Sequence, residues 1–587
     1  MPANGRLSGR TLLLIGLLAL FASVRWRIIG HDGGAWRSTI YSDGEGYAAY
    51  LTSPLLHGTL SPPVARPDHL VPAGTVQVIK YPAGTAFVQA PFVLVAHAVR
   101  WLSGIRGDTL TPHHSVAIAL CGLGFLLLGL ERVRWLLHDL GVADRAVAVT
   151  LVLLPLGTGL GYYALMAPSM SHVYSFAMIA VLLAAARKAW CTAASRALLL
   201  TSFAFGLVVL IRPTNAFALL ALPMVTMGHP RTLRAWLLAS DGRGLSLAAV
   251  LLVLTLCMQP LLWYLQCGSW FVRPYPGEGF NWTHPELCRS LFGAQKGLFF
   301  FWPLLLLVLP GLIALGRLSP RTGVWAVAYF AVLCYVTSSW WNWIYGDSYG
   351  PRPYLDHLAA LAVPIAAFLG GLRPLALRIG LALIVPLCLL QCFHAWQYQV
   401  GILHPFNMDR EKWRAVFLRT GPQWRHSLGG DFEPAPYAPC GMDTVFAEGP
   451  PQGTSTRWQN SDSVNGSFLV DRVHPTGPVL RIPENVLPDG RALLVEASLR
   501  RRDLDPGASR DALIVCTMGS DGADRVRYAF AMNDLPASPS WRLWRYAFVL
   551  PAALPGEHLS FSVQQPSEGA FQVDAPTFRL SAVRPCP

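Results

Sequence analysis

Long uninterrupted apolar blocks separated by short basic clusters constrain this chain more than any other feature. Up to Trp396 they recur as runs of about 15 to 22 residues, long enough to cross a ~30 Å hydrocarbon layer as helices. Such segments must satisfy their backbone polar groups internally, so helices are expected. The runs lie at about residues 11–29, 114–130, 145–165, 171–187, 197–212, 214–228, 245–264, 297–315, 322–339, 354–371 and 377–395. The sequence therefore predicts about eleven transmembrane helices. After residue 396 the chain turns polar, which places a domain boundary there: a membrane domain over 1–396 and a second domain over 397–587.

The basic residues report topology. Arg6 and Arg10 precede the first run, and Arg132, Arg134 and Arg145; Arg187, Lys188 and Arg196; Arg231, Arg234 and Arg243; Arg317 and Arg321; and Arg373 and Arg378 fill every second loop after it. That alternation predicts a cytoplasmic N-terminus and a C-terminal domain on the periplasmic or extracellular side of a bacterial inner membrane. It also accounts for the net charge of +13 without a continuous basic face, so a nucleic-acid partner is not expected. The apolar stretch Thr85–Trp101 is excluded from the count, because one more crossing would move five basic clusters outside. It is expected to lie along the outer interface, within a first external loop of about residues 30–113. The 11 cysteines show no CxxC or Cys/His spacing, so zinc is not expected. Disulfides among Cys267, Cys288, Cys440, Cys516 and Cys586 stay open if those regions are external.

The external loops carry the residues that can do chemistry. In Tyr41-Ser-Asp-Gly-Glu-Gly-Tyr47, Asp43 and Glu45 flank one glycine. A desolvated carboxylate there, with a raised pKa, suits a general base, and the pair suits a divalent metal such as Mg or Mn, or simply a solvated turn. Lys80 in Lys80-Tyr-Pro-Ala-Gly84 is a headgroup anchor or a phosphate ligand. His172 ends Pro168-Ser-Met-Ser-His172, suited to a phosphate, a hydroxyl or a structural role. Arg212, in Arg212-Pro-Thr-Asn215, sits between two runs too close for a full loop, so it is expected in a wet cavity. The stretch Trp340-Trp-Asn-Trp-Ile-Tyr-Gly-Asp-Ser-Tyr-Gly-Pro-Arg352 brings Trp341, Asp347 and Arg352 together. It reads either as an aromatic belt or as a site where rings hold sugar or isoprenoid and a guanidinium grips phosphate.

Together these motifs, with Gly297-Leu-Phe-Phe-Phe-Trp-Pro303, resemble the GT-C superfamily of membrane glycosyltransferases over about residues 10–395. That superfamily includes protein O-mannosyltransferases and the transferases that put aminoarabinose on lipid A. The resemblance implies a polyprenyl-phosphate-linked sugar donor, an inverting transfer on the external face, Asp43 as catalytic acid–base residue with Glu45 as partner, and Lys80 on the donor phosphate. The acceptor is a glycan, lipid or protein. Protein mannosyltransferases carry adjacent acids, whereas Gly44 separates them here, which leaves the role of Glu45 open. Two other classes share parts of the pattern. A lipid-linked glycan transporter or flippase would have a similar cavity but more often internal repeats, and a non-catalytic polysaccharide assembly protein would bind sugar without transferring it.

Beyond residue 396, short alternating runs such as Ala492–Ser498, Ala512–Cys516, Trp544–Val549 and Phe578–Val583 predict an all-β sandwich resembling a jelly roll. Trp458, Trp541 and Trp544 are candidates for glycan contact or for core packing, and Asn465-Gly-Ser467 matches a glycosylation sequon.

Overall fold

The computed structural model describes residues 5–28, 38–60, 69–74, 76–226, 232–275, 278–405, 408–421, 424–425, 441–450, 457–459, 463–464, 467–488, 490–504, 512–520, 523–532, 539–550, 552–565 and 569–584. Asn465 of the sequon, Cys440 and Cys586 lie outside them. Cys267, Cys288 and Cys516 are free thiols. The chain forms two compact units, one of residues 1–274, 297–337 and 349–395 and one of residues 275–296, 338–348 and 396–587.

The first unit is helical. Its order is α1 (Arg6–Ser23), α2 (Asp43–His57), a hairpin of β1 (Leu70–Ala73) and β2 (Val76–Ile79), α3 (Gly84–Leu102), α4 (Pro112–Asp139), α5 (Asp144–Leu156), α6 (Leu160–Leu165), α7 (His172–Thr192) and α8 (Ser195–Ile211). A 3-10 turn (Pro213–Ala221) then runs into α9 (Leu222–Thr226), followed by α10 (Leu233–Ala239) and α11 (Gly242–Cys267). After α12 (Leu287–Phe292), which belongs to the second unit, come α13 (Leu298–Phe301), α14 (Val308–Leu318), α15 (Pro320–Ser339), α16 (Pro353–Asp356), α17 (Leu358–Gly371) and α18 (Pro374–Gln399). Among the described residues 7 helices are long and apolar enough to cross a membrane, and 195–211, 213–226, 303–318 and 358–371 are shorter apolar helices. The predicted run 145–165 is not one helix: Pro155, with Gly157 and Gly159 behind it, divides it into α5 and α6.

Burial sorts the helices into a centre and a rim. α7 is buried from His172 to Ala186, and Gly129 of α4 sits so close to it that an added methyl would lie 2.4 Å from the Phe176 ring. Small residues allow this approach where lipid supplies no hydrophobic drive between helices. The rim is apolar towards the outside. Leu13, Leu14, Leu17 and Phe21 of α1, Val250, Val253 and Leu254 of α11, and Leu375, Ile379 and Leu383 of α18 are exposed. A surface of that extent is stable against acyl chains and not against water, so this is a multi-pass membrane protein.

α3 meets the same length and apolarity standard as the crossing helices, although charge alternation leaves it out. An added methyl on Gly122 of α4 would lie 2.7 Å from Pro168, at the start of the turn preceding α7, so α4 reaches the level of that turn at Gly122. Residues 122–139 already span about 27 Å. α3 pairs with what remains beyond it: Cys121 Sγ contacts Val88 O, Val93 packs on Ile118, and His97 Nδ1 is 3.4 Å from His114 Nε2. α3 and the first part of α4 thus pair as an antiparallel hairpin.

The second unit is dominated by an antiparallel sandwich. Its strands are β3 (Gly441–Glu448), β4 (Trp458–Gln459), β5 (Ser463–Val464), β6 (Ser467–Val470), β7 (Thr476–Ile482), β8 (Leu493–Asp503), β9 (Leu513–Ser520), β10 (Ala523–Ala531), β11 (Arg542–Leu550), β12 (His558–Gln564) and β13 (Phe571–Arg584). One sheet runs β10-β9-β12-β7-β4 and the other β11-β8-β13-β6-β5, with β3 also on β13. β13 lies between β8 and the β6/β3 edge, and β12 between β7 and β9, the crossed order of a jelly roll. Phe468, Leu480, Val495, Cys516, Phe548, Phe561 and Leu580 fill the space between the sheets. Trp458 belongs to this core: it is 3% exposed and donates Nε1–H to Gly449 O at 3.0 Å. Trp544 packs partly against the core, whereas the Trp541 ring lies on the surface beneath Arg500 and Arg502. The loops 275–296 and 338–348 fold into this unit, through bonds such as Glu286 N–H to Ser338 O and Trp413 Nε1–H, from α19 (Arg410–Val416), to Ala294 O.

Candidate active site

Five of the motifs singled out in the sequence meet at one end of the helical unit, and glycines decide how closely. α2 begins at Asp43 directly after Ser42, whose φ of 52° is left-handed. A methyl on Gly44 would lie 2.1 Å from Ser169 Oγ, and one on Gly46 would lie 2.3 Å from the Tyr81 ring. The first loop is thereby pressed against both the Pro168–His172 turn and the Lys80–Gly84 element. Gly84 in turn abuts the end of α8, where an added methyl would meet Ile211 N at 2.3 Å. The Arg212 turn follows at once. Gln259 of α11 completes the scaffold, accepting from Ala83 N–H at 2.7 Å and donating to Tyr50 OH at 3.1 Å.

Asp43 lies at the centre of this end. Its Oδ1 accepts from Tyr81 OH at 2.9 Å and its Oδ2 from Arg352 Nη1 at 2.8 Å. The side chains of Asp43 and Arg352 keep 24% and 13% of their exposure, so the pair is shielded but not sealed. Burial alone would raise the Asp43 pKa, but Arg352, the Tyr81 hydroxyl and the positive field of Lys80 outweigh it and hold the carboxyl well below the ordinary range. The expectation of a raised pKa is therefore overturned: unliganded, Asp43 is a firm carboxylate. Lys80 Nζ lies 5.3 Å from the Tyr81 ring centre. Glu45 is half-buried in the first turn of α2.

A second cluster lies behind the first. His172 Nδ1 is 2.7 Å from Asp356 Oδ1, Asn215 Nδ2 donates to Asp356 Oδ2 at 2.9 Å, and Arg212 Nη1 lies 3.5 Å from the same oxygen. Asp356 is completely buried, as is His172 but for 2%, whereas Arg212 keeps 21%. Tyr47 OH donates to Ser171 Oγ at 3.4 Å and the Tyr163 ring stands 4.9 Å from the His172 ring, so side chains of α2 and α6 line the space between the clusters.

Of the predicted site residues, Asp43, Glu45, Lys80, His172, Arg212 and Arg352 belong to the helical unit. Trp341 and Asp347 belong to the other unit. There Trp341 Nε1–H donates to Glu278 Oε2 at 3.0 Å and Asp347 Oδ1 accepts from Tyr398 OH at 2.8 Å. Asp356 and Tyr81 were not singled out as site residues by the sequence. Asp356 fell inside the predicted run 354–371, and an ionisable residue at the mouth of an apolar run was the signal that could have found it. Both Asp43 oxygens accept hydrogen bonds, from Tyr81 and Arg352, and no group of three or more His, Cys, Asp or Glu side chains forms among the described residues.

No family model and no curated protein matches the sequence. Among solved structures, the archaeal oligosaccharyltransferase AglB from Archaeoglobus fulgidus, in complex with an inhibitory peptide and a dolichol-phosphate, is similar at 13% identity and a TM-score of 0.38, over 65% of this chain and 56% of that one. The arabinosyltransferase EmbB from Mycobacterium smegmatis is similar at 13% identity and a TM-score of 0.33, over 97% of this chain and 64% of that one. The chain thus spans less than two thirds of the length of either. At those scores neither likeness bears on the substrates or residues of this chain.

Proposed function

We propose that this protein is a membrane glycosyltransferase of the GT-C kind, moving a sugar from a polyprenyl-phosphate donor to an acceptor hydroxyl on the external face, with inversion. The observation that carries the reading is the Asp43 carboxylate, held by Arg352 and Tyr81 at the end of the bundle where Lys80, His172 and Arg212 also converge.

The chemistry follows from that arrangement. The acceptor oxygen attacks the anomeric carbon, the bond from that carbon to the phosphate oxygen breaks, and the polyprenyl phosphate departs with its electron pair. The acceptor proton goes to Asp43. A carboxylate paired with an arginine is a weak base, and a donor phosphate that draws Arg352 to itself both gains a counter-charge and leaves Asp43 free to take the proton. Lys80 and Arg212 supply further positive charge for the leaving phosphate.

Contacts at the site also support the topology read from the charges. Gly44 abuts Ser169, so residues 43 and 169 share one face. That requires an even number of crossings between them, which α4 and the α5–α6 pair provide if α3 does not cross. α7 and α8 return the chain to the same face at Arg212. The four apolar segments 213–226, 242–267, 303–318 and 320–339 return it at Arg352. With α1, α17 and α18 the crossings number about eleven.

The test is Asp43→Asn in membranes supplied with polyprenyl-phosphate-sugar donors. Transfer is expected to fall by at least about 100-fold while the protein stays folded; full turnover would remove Asp43 as the base. Sugar binding without transfer by the unmodified protein would instead favour a non-catalytic assembly role.

A further inference from the structure

The geometry points to Asp356 as the positioning residue of the donor-phosphate pocket, acting through Arg212; this rests on the glycosyltransferase reading above. Three facts separate Asp356 from the residues that meet substrate. It has no exposure at all, so no ligand touches it. Its oxygens are engaged by the protein: Oδ1 by His172 Nδ1 at 2.7 Å, Oδ2 by Asn215 Nδ2 at 2.9 Å and Arg212 Nη1 at 3.5 Å. A buried carboxylate is costly unless paired and hydrogen-bonded, and the partners of this α16 residue come from two other elements: the start of α7 and the turn after α8.

Arg212 is the cluster member that still reaches solvent, with 21% of its side chain exposed. Its position is not set by its own backbone, because Arg212 lies in an extended link (φ −149°) between α8 and the Pro213 turn, where a long side chain has many rotamers. Asp356 and the His172 ring, 3.3 Å from Arg212 Nη1, select one of them. Asn215, which also donates to Ser175 Oγ at 3.1 Å, ties the same turn to α7. Arg352 lies four residues before Asp356, one turn of chain away across Pro353. One short segment therefore carries the arginine that pairs with Asp43 and the carboxylate that fixes the second arginine. The two guanidiniums are held on separate anchors, Asp43 and Asp356, and a phosphate between them would be gripped from two sides.

The measurement is the affinity of the full-length protein in nanodiscs for a polyprenyl phosphate carrying no sugar, combined with a double-mutant cycle. Asp356→Asn and Arg212→Gln are each expected to weaken binding by about 10- to 100-fold, and Asp356→Glu to recover part of the loss. The double variant is expected to bind no worse than Arg212→Gln alone, because the carboxylate works through the guanidinium. Losses that multiply in the double variant, or unchanged affinity in a folded Asp356→Asn protein, would overturn the positioning role. If Asp356→Asn does not fold, Asn215→Ala, which removes one anchor of the turn and leaves the charges, is expected to weaken binding in the same direction; unchanged affinity there would also overturn it. Failure of the unmodified protein to bind polyprenyl phosphate would fault the glycosyltransferase reading instead.

Discussion

Replacing Arg352 by Gln isolates the interaction on which the site is built. The Arg352 Nη1 to Asp43 Oδ2 distance is 2.8 Å. With charge centres about 4 Å apart and an effective dielectric near 20, the attraction is about 4 kcal/mol. Partial exposure of both side chains and the surviving Tyr81 bond reduce this, while the partner left behind pays for its lost counter-charge, so a net destabilisation of about 2–3 kcal/mol is expected. At about 2–4 °C per kcal/mol, the thermal midpoint in nanodiscs should fall by about 5–10 °C. The double variant Asp43→Asn with Arg352→Gln should recover at least half of that loss, since removing both partners leaves no stranded charge. A pH arm checks the sign. The folded carboxyl has a depressed pKa, so its stabilisation is present above the ordinary carboxylate value and lost as the pH falls through the depressed one. Without Arg352 the depression shrinks, and the acid-induced drop in midpoint should be smaller than in the unmodified protein. Equal acid sensitivity, or simple addition of the two single-variant losses, would refute the coupling.

The packing glycines and the path of α3 give two more tests. Gly44→Ala should cost about 1–3 kcal/mol and most activity, with partial rescue by Ser169→Gly, because the clash is with that side chain at 2.1 Å; Gly84→Ala meets backbone at 2.3 Å and should have no single-residue rescue. Thermal midpoints and transfer rates of the three variants decide it. Single cysteines replacing His57 and Asp108, both exposed, should react with a membrane-impermeant maleimide from the same face; labelling from opposite faces would mean that α3 crosses.

The legible part of the fold was what periodic hydrophobicity and charge dictate locally. Apolar runs marked the helices and alternation marked β8, β9, β11 and β13, because each depends on its own residues. The break between α5 and α6 was written in Pro155 and Gly157 but hidden by the apolarity around them. Of the site, the motifs were visible and their pairing was not. Arg352 and Asp43 are 309 residues apart, and nothing in either segment names the other. The same blindness explains the reversed pKa. From the sequence, Asp43 is a carboxylate near lipid, and burial alone raises its pKa; the neighbour that reverses the sign arrives only by folding. Asp356 shows the complementary failure. Its position inside a predicted crossing made it look like part of an apolar run, yet a carboxylate there is tolerable only if the fold brings it partners. His172, Asn215 and Arg212 are those partners. An acid at the mouth of a crossing helix is therefore a constraint on the rest of the chain: some distant turn must supply the donors, and where that turn also carries an arginine that still reaches solvent, the cluster holds a cation ready for an anionic ligand.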